Sequence, residues 1–189
     1  MVTMREHMHG AVDWMERMHL QATEPRIGGA GTVQPLWAGS FLAMRLAVSA
    51  ATERGWEVVY FSLGESGSRL TLHLLCWQAQ VTLACVAQGD ITNKDFVRLT
   101  HAAGKLAGLP LLISDTARTL RGICTQTSEL LGKHHPKLLI VDQADQLVDT
   151  HNTGEHFEEK LALAELRTLA RVARLRIVFM SRQPTFLGL

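Results

Sequence analysis

Two short stretches of the chain end in a hydroxyl and a carboxylate of the kind that bind phosphates and magnesium. The segment "VQPLWAGS", residues 33–40, stands directly before the helical run "FLAMRLAVSAATER". A loop of the pattern x-x-x-x-x-G-K-[ST] in that place would wrap its backbone N–H groups around phosphates. Only Ser40 keeps its residue type, since Ala38 stands in the last glycine position and Gly39 in the lysine position. The segment is either a nucleotide site that has lost its chemistry or an ordinary turn.

The second stretch is "KLLIVD", residues 137–142, in which four apolar residues precede Asp142. This pattern is typical of a Walker-B strand, whose aspartate emerges at the carboxyl end of a sheet and holds magnesium through water. Many α/β strands end in an aspartate that only caps the next turn, so the strand by itself leaves both interpretations open. Ser40 and Asp142 are about 100 residues apart. Their order and separation favour the recombinase-like branch of phosphate-loop proteins.

The elements that must position these residues alternate along the chain. Apolar runs of strand type and longer runs of helical period predict a parallel sheet covered by helices on both faces. Residues 21–35 are either a linker or a damaged first strand. The predicted strands are residues 57–64, 111–115, 137–143 and 176–182. The predicted helices are residues 41–55, most of 68–84, 93–110 with a stop at Gly108 and Pro110, 117–134 and 155–175.

An N-terminal helix is predicted ahead of this core. Residues 4–20 place an apolar stripe at helical spacing, formed by Met4, Met8, Ala11, Met15 and Met18. The helix either docks on its own domain or forms an arm that contacts a neighbouring subunit, because methionine-rich faces adapt to partners. We therefore divide the chain into an arm, residues 1–22, and a core domain, residues 23–189.

Composition narrows the class of protein. The 189 residues are 47% hydrophobic and carry a formal net charge of +1, which describes a globular protein and argues against an autonomous, non-specific nucleic-acid binder. Cys76, Cys85 and Cys124 lie in apolar surroundings without C-x-x-C spacing and are expected as small core residues in a reducing compartment. No signal-peptide pattern and no long apolar run is present, so we predict a cytoplasmic protein without a membrane contact.

Other residues suited to chemistry form no recognisable site. The histidines show no metal-binding spacing, and no G-x-S-x-G elbow is present. Arg167, Arg171 and Arg174 make a basic stripe at helical spacing. That stripe is either a solvated helix face or a contact for nucleic acid or another subunit.

From about residue 33 to residue 183 the sequence resembles the C-terminal motor domain of DnaB-type replicative DNA helicases. Each matching piece is short, and their shared order over about 150 residues carries the resemblance. The resemblance implies a RecA-like phosphate-loop NTPase fold with three layers. The pieces are "PLWAGSFLAMRLA", "VVYFSLGES", "VAQGDITNKDFVRLTHAAGKL", "LLISDTARTLRGI", "KLLIVDQADQL" and "LRTLARVARLRIVFMSRQP".

The resemblance implies residue roles near the first helix, and several are altered. The lysine that neutralises the β and γ phosphates corresponds to Gly39, and the glycine before it to Ala38, with Trp37 expected to add bulk to the turn. Ser40 matches the hydroxyl that contacts magnesium. The glutamate of the family's F-S-L-E motif corresponds to Gly64, and Glu65, one place further on, is expected to point elsewhere.

The remaining implied roles lie later in the chain. Asp142 matches the Walker-B aspartate, so Ser40 and Asp142 are the expected magnesium ligands. The sensor glutamine corresponds to Arg182, although Gln183 follows it. The sequence ends at Leu189, before the segments that carry the family's arginine finger. We therefore expect weak or absent binding of ATP and magnesium and no normal ATP hydrolysis by this chain alone.

The leading functional hypothesis is a motor-like protein that acts without catalysis in DNA replication or recombination. Its expected partner is a replicative helicase, its loader or a related replication or recombination protein, and it is also expected to form a homo-oligomer; DNA contact is left open. One alternative is a nucleotide-dependent helicase-like ATPase completed by another subunit. A third interpretation is a RecA-like recombination or signalling paralogue that binds nucleotide as a structural ligand.

Overall fold

The computed structural model describes residues 27–37, 39–147 and 155–181, with backbone alone at residues 35–37 and 155–162. The predicted arm, residues 1–22, and the boundary after it lie outside these ranges. Ala38 and Arg182 also lie outside them. Every structural statement below concerns the described ranges.

The described residues form five strands, six α-helices and one short 3-10 helix. The strands are β1 (Val33–Trp37), β2 (Val58–Ser62), β3 (Leu111–Ser114), β4 (Leu138–Asp142) and β5 (Arg176–Ser181). The α-helices are α1 (Ser40–Glu53), α2 (Gly67–Ala79), α3 (Leu83–Gln88), α4 (Asn93–Ala107), α5 (Leu120–Leu131) and α6 (Glu155–Val172). The 3-10 helix is Ala144–Gln146, immediately after β4.

The strands form one parallel sheet in the order β1-β5-β4-β2-β3. The predicted parallel α/β architecture is therefore confirmed. The carboxyl ends of all five strands meet at one edge of the sheet, where ligands of such folds bind. Register pairs Ser62 with Asp142 and Trp37 with Ser181 at this edge.

Helices cover both faces of the sheet, and each face has its own core. Successive strand residues point to opposite faces, so β4 sends Leu139 and Val141 to one side and Leu138 and Ile140 to the other. The first side packs against α5 and α6, and the second against α1 and α2. This alternation places Asp142 on the second side, together with α1.

Four of the five α-helices whose N-cap residues are described begin with a hydroxyl cap. The hydroxyl oxygens of Ser66, Thr82, Thr92 and Thr119 accept backbone N–H bonds at the starts of α2, α3, α4 and α5. At the start of α1, Gly39 has extended backbone and offers no side-chain cap. The start of α1 therefore lacks a side-chain cap, although Leu42 N donates to the Gly39 carbonyl at 2.9 Å.

The structure decides one open alternative from the sequence, corrects the expected place of Trp37 and refines one predicted helix. Residues 33–37 are a true strand, β1, since they pair along their whole length with β5; Pro35 is tolerated there because β1 is an edge strand. Trp37 is the last residue of that strand, so it does not lie in the turn before α1. Residues 68–84, predicted as mostly helix, belong to two helices, because Gln80 adopts a left-handed conformation (φ 55°) and ends α2.

No helix among the described residues is long and apolar enough to span a membrane. Cys76, Cys85 and Cys124 form no disulfide with one another; Cys76 and Cys124 are buried, as expected for core residues, and Cys85 is partly buried.

Candidate functional site

Polar side chains collect at the carboxyl edge of the sheet, where the core would otherwise be apolar. Ser62, Asp142 and Ser181 end β2, β4 and β5 and are all buried. Ser40 opens α1 beside them. The structure thus brings together Ser40 and Asp142, the two residues that the sequence selected as magnesium ligands.

Asp142 is held by the phenol of Tyr60. Both residues point to the α1 side of the sheet, and Tyr60 lies on β2 two residues before Ser62, the register partner of Asp142. The Tyr60 hydroxyl donates a hydrogen bond of 2.7 Å to Oδ2 of Asp142. A buried phenol needs such a partner, and here the partner is the carboxylate.

The carboxyl group of Asp142 is desolvated and only half paired. Its exposure is 0%, and Oδ1 has no hydrogen-bond partner of regular geometry among the described residues. Burial raises the pKa of Asp142, although hydrogen bonding to Tyr60, Ser40 and the Gln143 backbone favours the charged form. Burial, and then the charge of Asp142, also raise the pKa of Tyr60. An aspartate in this environment is easier to protonate than one in water.

Ser40 is engaged by the residue that follows Asp142. The Nε2 amide of Gln143 donates a hydrogen bond of 2.8 Å to Oγ of Ser40. Gln143 has a left-handed backbone (φ 54°), and only 8% of it is exposed. Its carbonyl accepts from Gln146 N at 2.8 Å, which fixes the turn into the 3-10 helix.

Gly64 lies directly against this amide. A Cβ added at position 64 would lie 2.8 Å from Nε2 of Gln143, and closer still to Cδ and Oε1. Side chains do not approach that closely, so the Gln143 amide occupies the space that a side chain at position 64 would need. Glycine is therefore required at position 64 while Gln143 keeps this rotamer.

Glu65 lies beside the site without touching Ser40. Its backbone N–H donates to Oγ of Ser62, which in turn donates to the Glu65 carbonyl at 2.6 Å. Its carboxylate lies 3.9 Å from Nδ1 of His73. The negative charge of Glu65 still raises the pKa of both Asp142 and Tyr60, so it reaches the site electrostatically.

These residues do not fit magnesium and a triphosphate as they stand. Magnesium needs oxygen ligands in near-octahedral geometry, yet Oγ of Ser40 faces an amide N–H and Oδ2 of Asp142 faces a phenol O–H. No group of three or more His, Cys, Asp or Glu side chains suited to a metal occurs in the described parts of the chain. The start of α1, which has no side-chain cap, is the kind of helix end at which anions bind.

Sequence reasoning missed Tyr60 and Gln143. Tyr60 is the only tyrosine of the chain, and a phenol inside an apolar strand signals a buried partner. Gln143 departs from the tyrosine that usually follows the Walker-B aspartate in the family the sequence resembles. A polar group in the apolar strand at Tyr60 and a departure from the family pattern at Gln143 are the two sequence signals that could have indicated these contacts.

The fold and the strand-end cluster define a RecA-like α/β domain. The DnaB-like helicase C-terminal domain model matches residues 33–183 of the chain. The chain therefore belongs to the DnaB-like helicase C-terminal domain family, as the sequence predicted. It is 23% identical over 154 residues to the replicative DNA helicase DnaB of Leifsonia xyli subsp. xyli, an alignment that covers 79% of this chain and 33% of that protein.

Solved structures match the same fold. A solved ATPase domain superposes with a TM-score of 0.71 at 14% identity, covering 92% of this chain and 69% of the other. A DnaB-like replicative helicase, studied with its interactions with primase, superposes with a TM-score of 0.69 at 13% identity, covering 88% of this chain and 47% of the other. The chain spans about a third of the length of its DnaB relative from Leifsonia.

Proposed function

We propose that this chain is a helicase-motor-like domain that acts without ATP hydrolysis in DNA replication or recombination, by binding a helicase or a related partner. The observation that carries the proposal is the chemistry of the strand-end cluster. Gly39 supplies no positive charge at the start of α1, and Gly64 supplies no carboxylate at the end of β2. Ser40 and Asp142 are bonded to side chains of the chain itself.

Phosphoryl transfer depends on charge stabilisation and positioning, because the protein does little covalent chemistry in it. Each lost hydrogen bond to a charged group costs about 1.5–3 kcal/mol. Losing both the lysine and the water-polarising carboxylate therefore leaves at most weak binding of ATP and magnesium. The proposed role is then structural, with affinity for a partner in place of turnover.

A turnover assay tests the absence of catalysis. Wild type should release phosphate from ATP and magnesium at the rate of a buffer blank, and Asp142→Ala should not differ from it. Magnesium-dependent turnover of the wild type that Asp142→Ala abolishes would refute the proposal.

An exposed apolar pair on α4 supports partner binding. Phe96 and Val97 are adjacent, and each is 66% exposed, although the opposite side of α4 packs on the small cluster that includes Ala102. Neighbouring large apolar side chains at a surface favour a protein contact. This pair is the surface on which we expect the partner to dock.

Binding to the replicative helicase of the same cell tests that surface. The double variant Phe96→Ser with Val97→Ser should weaken binding at least tenfold without changing thermal stability. Val172→Ser is the matched control, since Val172 is 80% exposed on another helix, α6. Equal binding by the wild type and the double variant would remove this pair from the proposal.

The methionine-rich arm, residues 1–22, is the second proposed contact. Its sequence carries an apolar stripe ahead of a glycine-rich segment. Deleting residues 1–22 should lower the oligomer mass measured by light scattering or weaken partner binding. Unchanged mass and unchanged binding by a normally folded deletion variant would refute this role.

A second candidate function is an ATPase site completed by another subunit. The lack of a side-chain cap at α1 and the absence of a regular hydrogen-bond partner for Oδ1 of Asp142 favour it, since a nucleotide and its metal could bind there. Turnover that appears only when the partner is mixed with wild type, and that Asp142→Ala removes, would favour this candidate over the non-catalytic one.

A further inference from the structure

We infer that Gln143 is a built-in plug that closes the Ser40–Asp142 site against a metal ion, and that Gly64 is the residue that makes room for it. The inference rests on the proposed function in one respect, namely that Ser40 and Asp142 derive from a nucleotide site. It adds a specific residue pair that keeps the site shut.

The Gln143 amide directs an N–H group at Ser40. Its Nε2 donates to Oγ of Ser40 at 2.8 Å, so the positive end of the amide dipole points at the oxygen that would bind a cation. A metal ion at that oxygen would be repelled by the N–H proton that points at it. Ser40 becomes a metal ligand only after the amide turns away.

The Gln143 amide and any side chain at position 64 exclude one another. The amide of Gln143 fills the space beside Gly64 in which even a Cβ would overlap it. A carboxylate on position 64 and the Gln143 amide in this rotamer therefore exclude one another. Gly64 and Gln143 therefore act as a pair: the neutral N–H donor of Gln143 takes the place of the charged carboxylate that the family resemblance implies at position 64.

The backbone of Gln143 adopts a left-handed conformation that the surrounding structure holds in place. A non-glycine residue with φ 54° adopts a conformation that costs energy unless the surroundings hold it. The hydrogen bond from Gln146 N and the burial of the side chain supply that support. The amide is thus fixed inward at the end of β4, where it cannot swing freely into solvent.

Calorimetric titration with magnesium and ATP tests the closure. Gln143→Ala removes the donor, and Gln143→Glu keeps the shape while replacing the N–H group by a carboxylate oxygen. Both variants should bind magnesium with ATP at least tenfold more tightly than wild type, which corresponds to about 1.4 kcal/mol.

Gln80→Ala and Gln80→Glu are the matched controls. Gln80 is also a glutamine with a left-handed backbone (φ 55°), but it is exposed at the end of α2. These variants should keep wild-type affinity. Unchanged affinity in both Gln143 variants would overturn the closure, as would an equal gain in the Gln80 variants.

A double-mutant cycle in urea tests the residue exchange without any nucleotide. Gly64→Ala should lower the unfolding midpoint in the wild type, because the new methyl group displaces the amide from Ser40. In the Gln143→Ala background the same substitution should leave the midpoint unchanged, because the space is then free. Equal losses in the two backgrounds would overturn the exchange.

The two tests separate failure of this inference from failure of the proposed function. Turnover by the unaltered wild type would refute the non-catalytic role, whatever the cycle shows. If the wild type shows no ATP turnover and Gln143→Ala has the same affinity for magnesium with ATP as the wild type, the plug is refuted and the non-catalytic role stands.

Discussion

The starts of α1 and α4 are built in opposite ways. At α4, the side chain of Thr92 accepts from Asp95 N at 3.2 Å, and the Asp95 carboxylate accepts from Thr92 N at 3.1 Å, so the two ends of the turn satisfy one another. At α1, Gly39 provides no cap, and the nearby carboxylate of Asp142 keeps one oxygen unpaired. One helix start is capped by its own turn, and the other has no side-chain cap and lies beside one carboxylate oxygen that has no regular hydrogen-bond partner.

This difference separates a helix start that serves the fold from one that keeps the form of a binding site. Buried polar atoms without partners are rare in folded proteins, because each costs free energy. One such atom, Oδ1 of Asp142, lies at the sheet edge near α1, and we interpret it as a remnant of a ligand site that Gln143 and Tyr60 partly satisfy. If so, substitutions at the two starts should affect stability and ligand binding differently.

The largest effect is expected from Tyr60→Phe. It removes the hydroxyl that pairs with a fully buried carboxylate, so the free energy of unfolding should fall by about 2–3 kcal/mol at neutral pH. Urea denaturation measures the loss. In an Asp142→Asn background the same substitution should cost clearly less, since no charge is then left unpaired; an equal loss would show that the hydroxyl is not paired with the charge.

Thr92→Ala tests the capped start of α4. It removes one half of the reciprocal cap of α4 and should lower the free energy of unfolding by about 1 kcal/mol without changing the strand-end cluster.

Hydrogen bonds from Thr92 and Arg98 lower the pKa of Asp95 from 3.8 to about 2. The contribution of Asp95 should therefore be present above pH 3.8 and be lost as the pH falls toward 2. Denaturation of the wild type and Thr92→Ala between pH 2 and pH 5 measures both effects; a stability difference that does not shrink over that range would contradict the reciprocal cap.

Asp142→Asn is expected to raise stability, by about 0.5–1 kcal/mol, because it removes a desolvated charge and keeps an acceptor for Tyr60. The folded pKa of Asp142 lies above its ordinary value of 3.8. Folding therefore favours the protonated carboxyl, and the stability that this group contributes is lost as the pH rises through the folded pKa. The advantage of the variant should thus vanish below pH 3.8 and grow with rising pH. A variant less stable than wild type at neutral pH would contradict a desolvated, half-paired carboxylate.

The smallest effect is expected from Gly39→Ser, which gives α1 the cap that the other helix starts have. The backbone of Gly39 is extended (φ −78°), and a Cβ there would have no neighbour within 4 Å, so serine fits. The gain should be a few tenths of a kcal/mol. Thermal denaturation against Gly29→Ser, at a glycine outside any helix start, checks that the gain comes from capping.

The sequence was sufficient to predict the fold because apolar strands and amphipathic helices alternate in a regular way. It also placed Ser40 and Asp142 together, since both follow from the rule that ligands bind at the carboxyl ends of parallel strands. β1 was harder to predict because Pro35 and the glycines before it weaken the strand pattern.

The finer contacts of the site could not be predicted from the sequence. The pairing of Tyr60 with Asp142 depends on the register of β2 against β4, and strand pairing is not written in either strand alone. The plug formed by Gln143 depends on one left-handed residue and on an empty place at Gly64. Such contacts arise from tertiary packing, which local patterns do not contain.

Calorimetric titration of the wild type and of Asp142→Asn with ATP and magnesium tests the central claim most directly. We expect both proteins to bind ATP and magnesium more weakly than micromolar and with the same affinity, because Ser40 and Asp142 are already hydrogen-bonded to side chains of the chain itself. A micromolar wild-type affinity that falls tenfold or more in Asp142→Asn, about 1.4 kcal/mol, would contradict it and would show a working metal–nucleotide site.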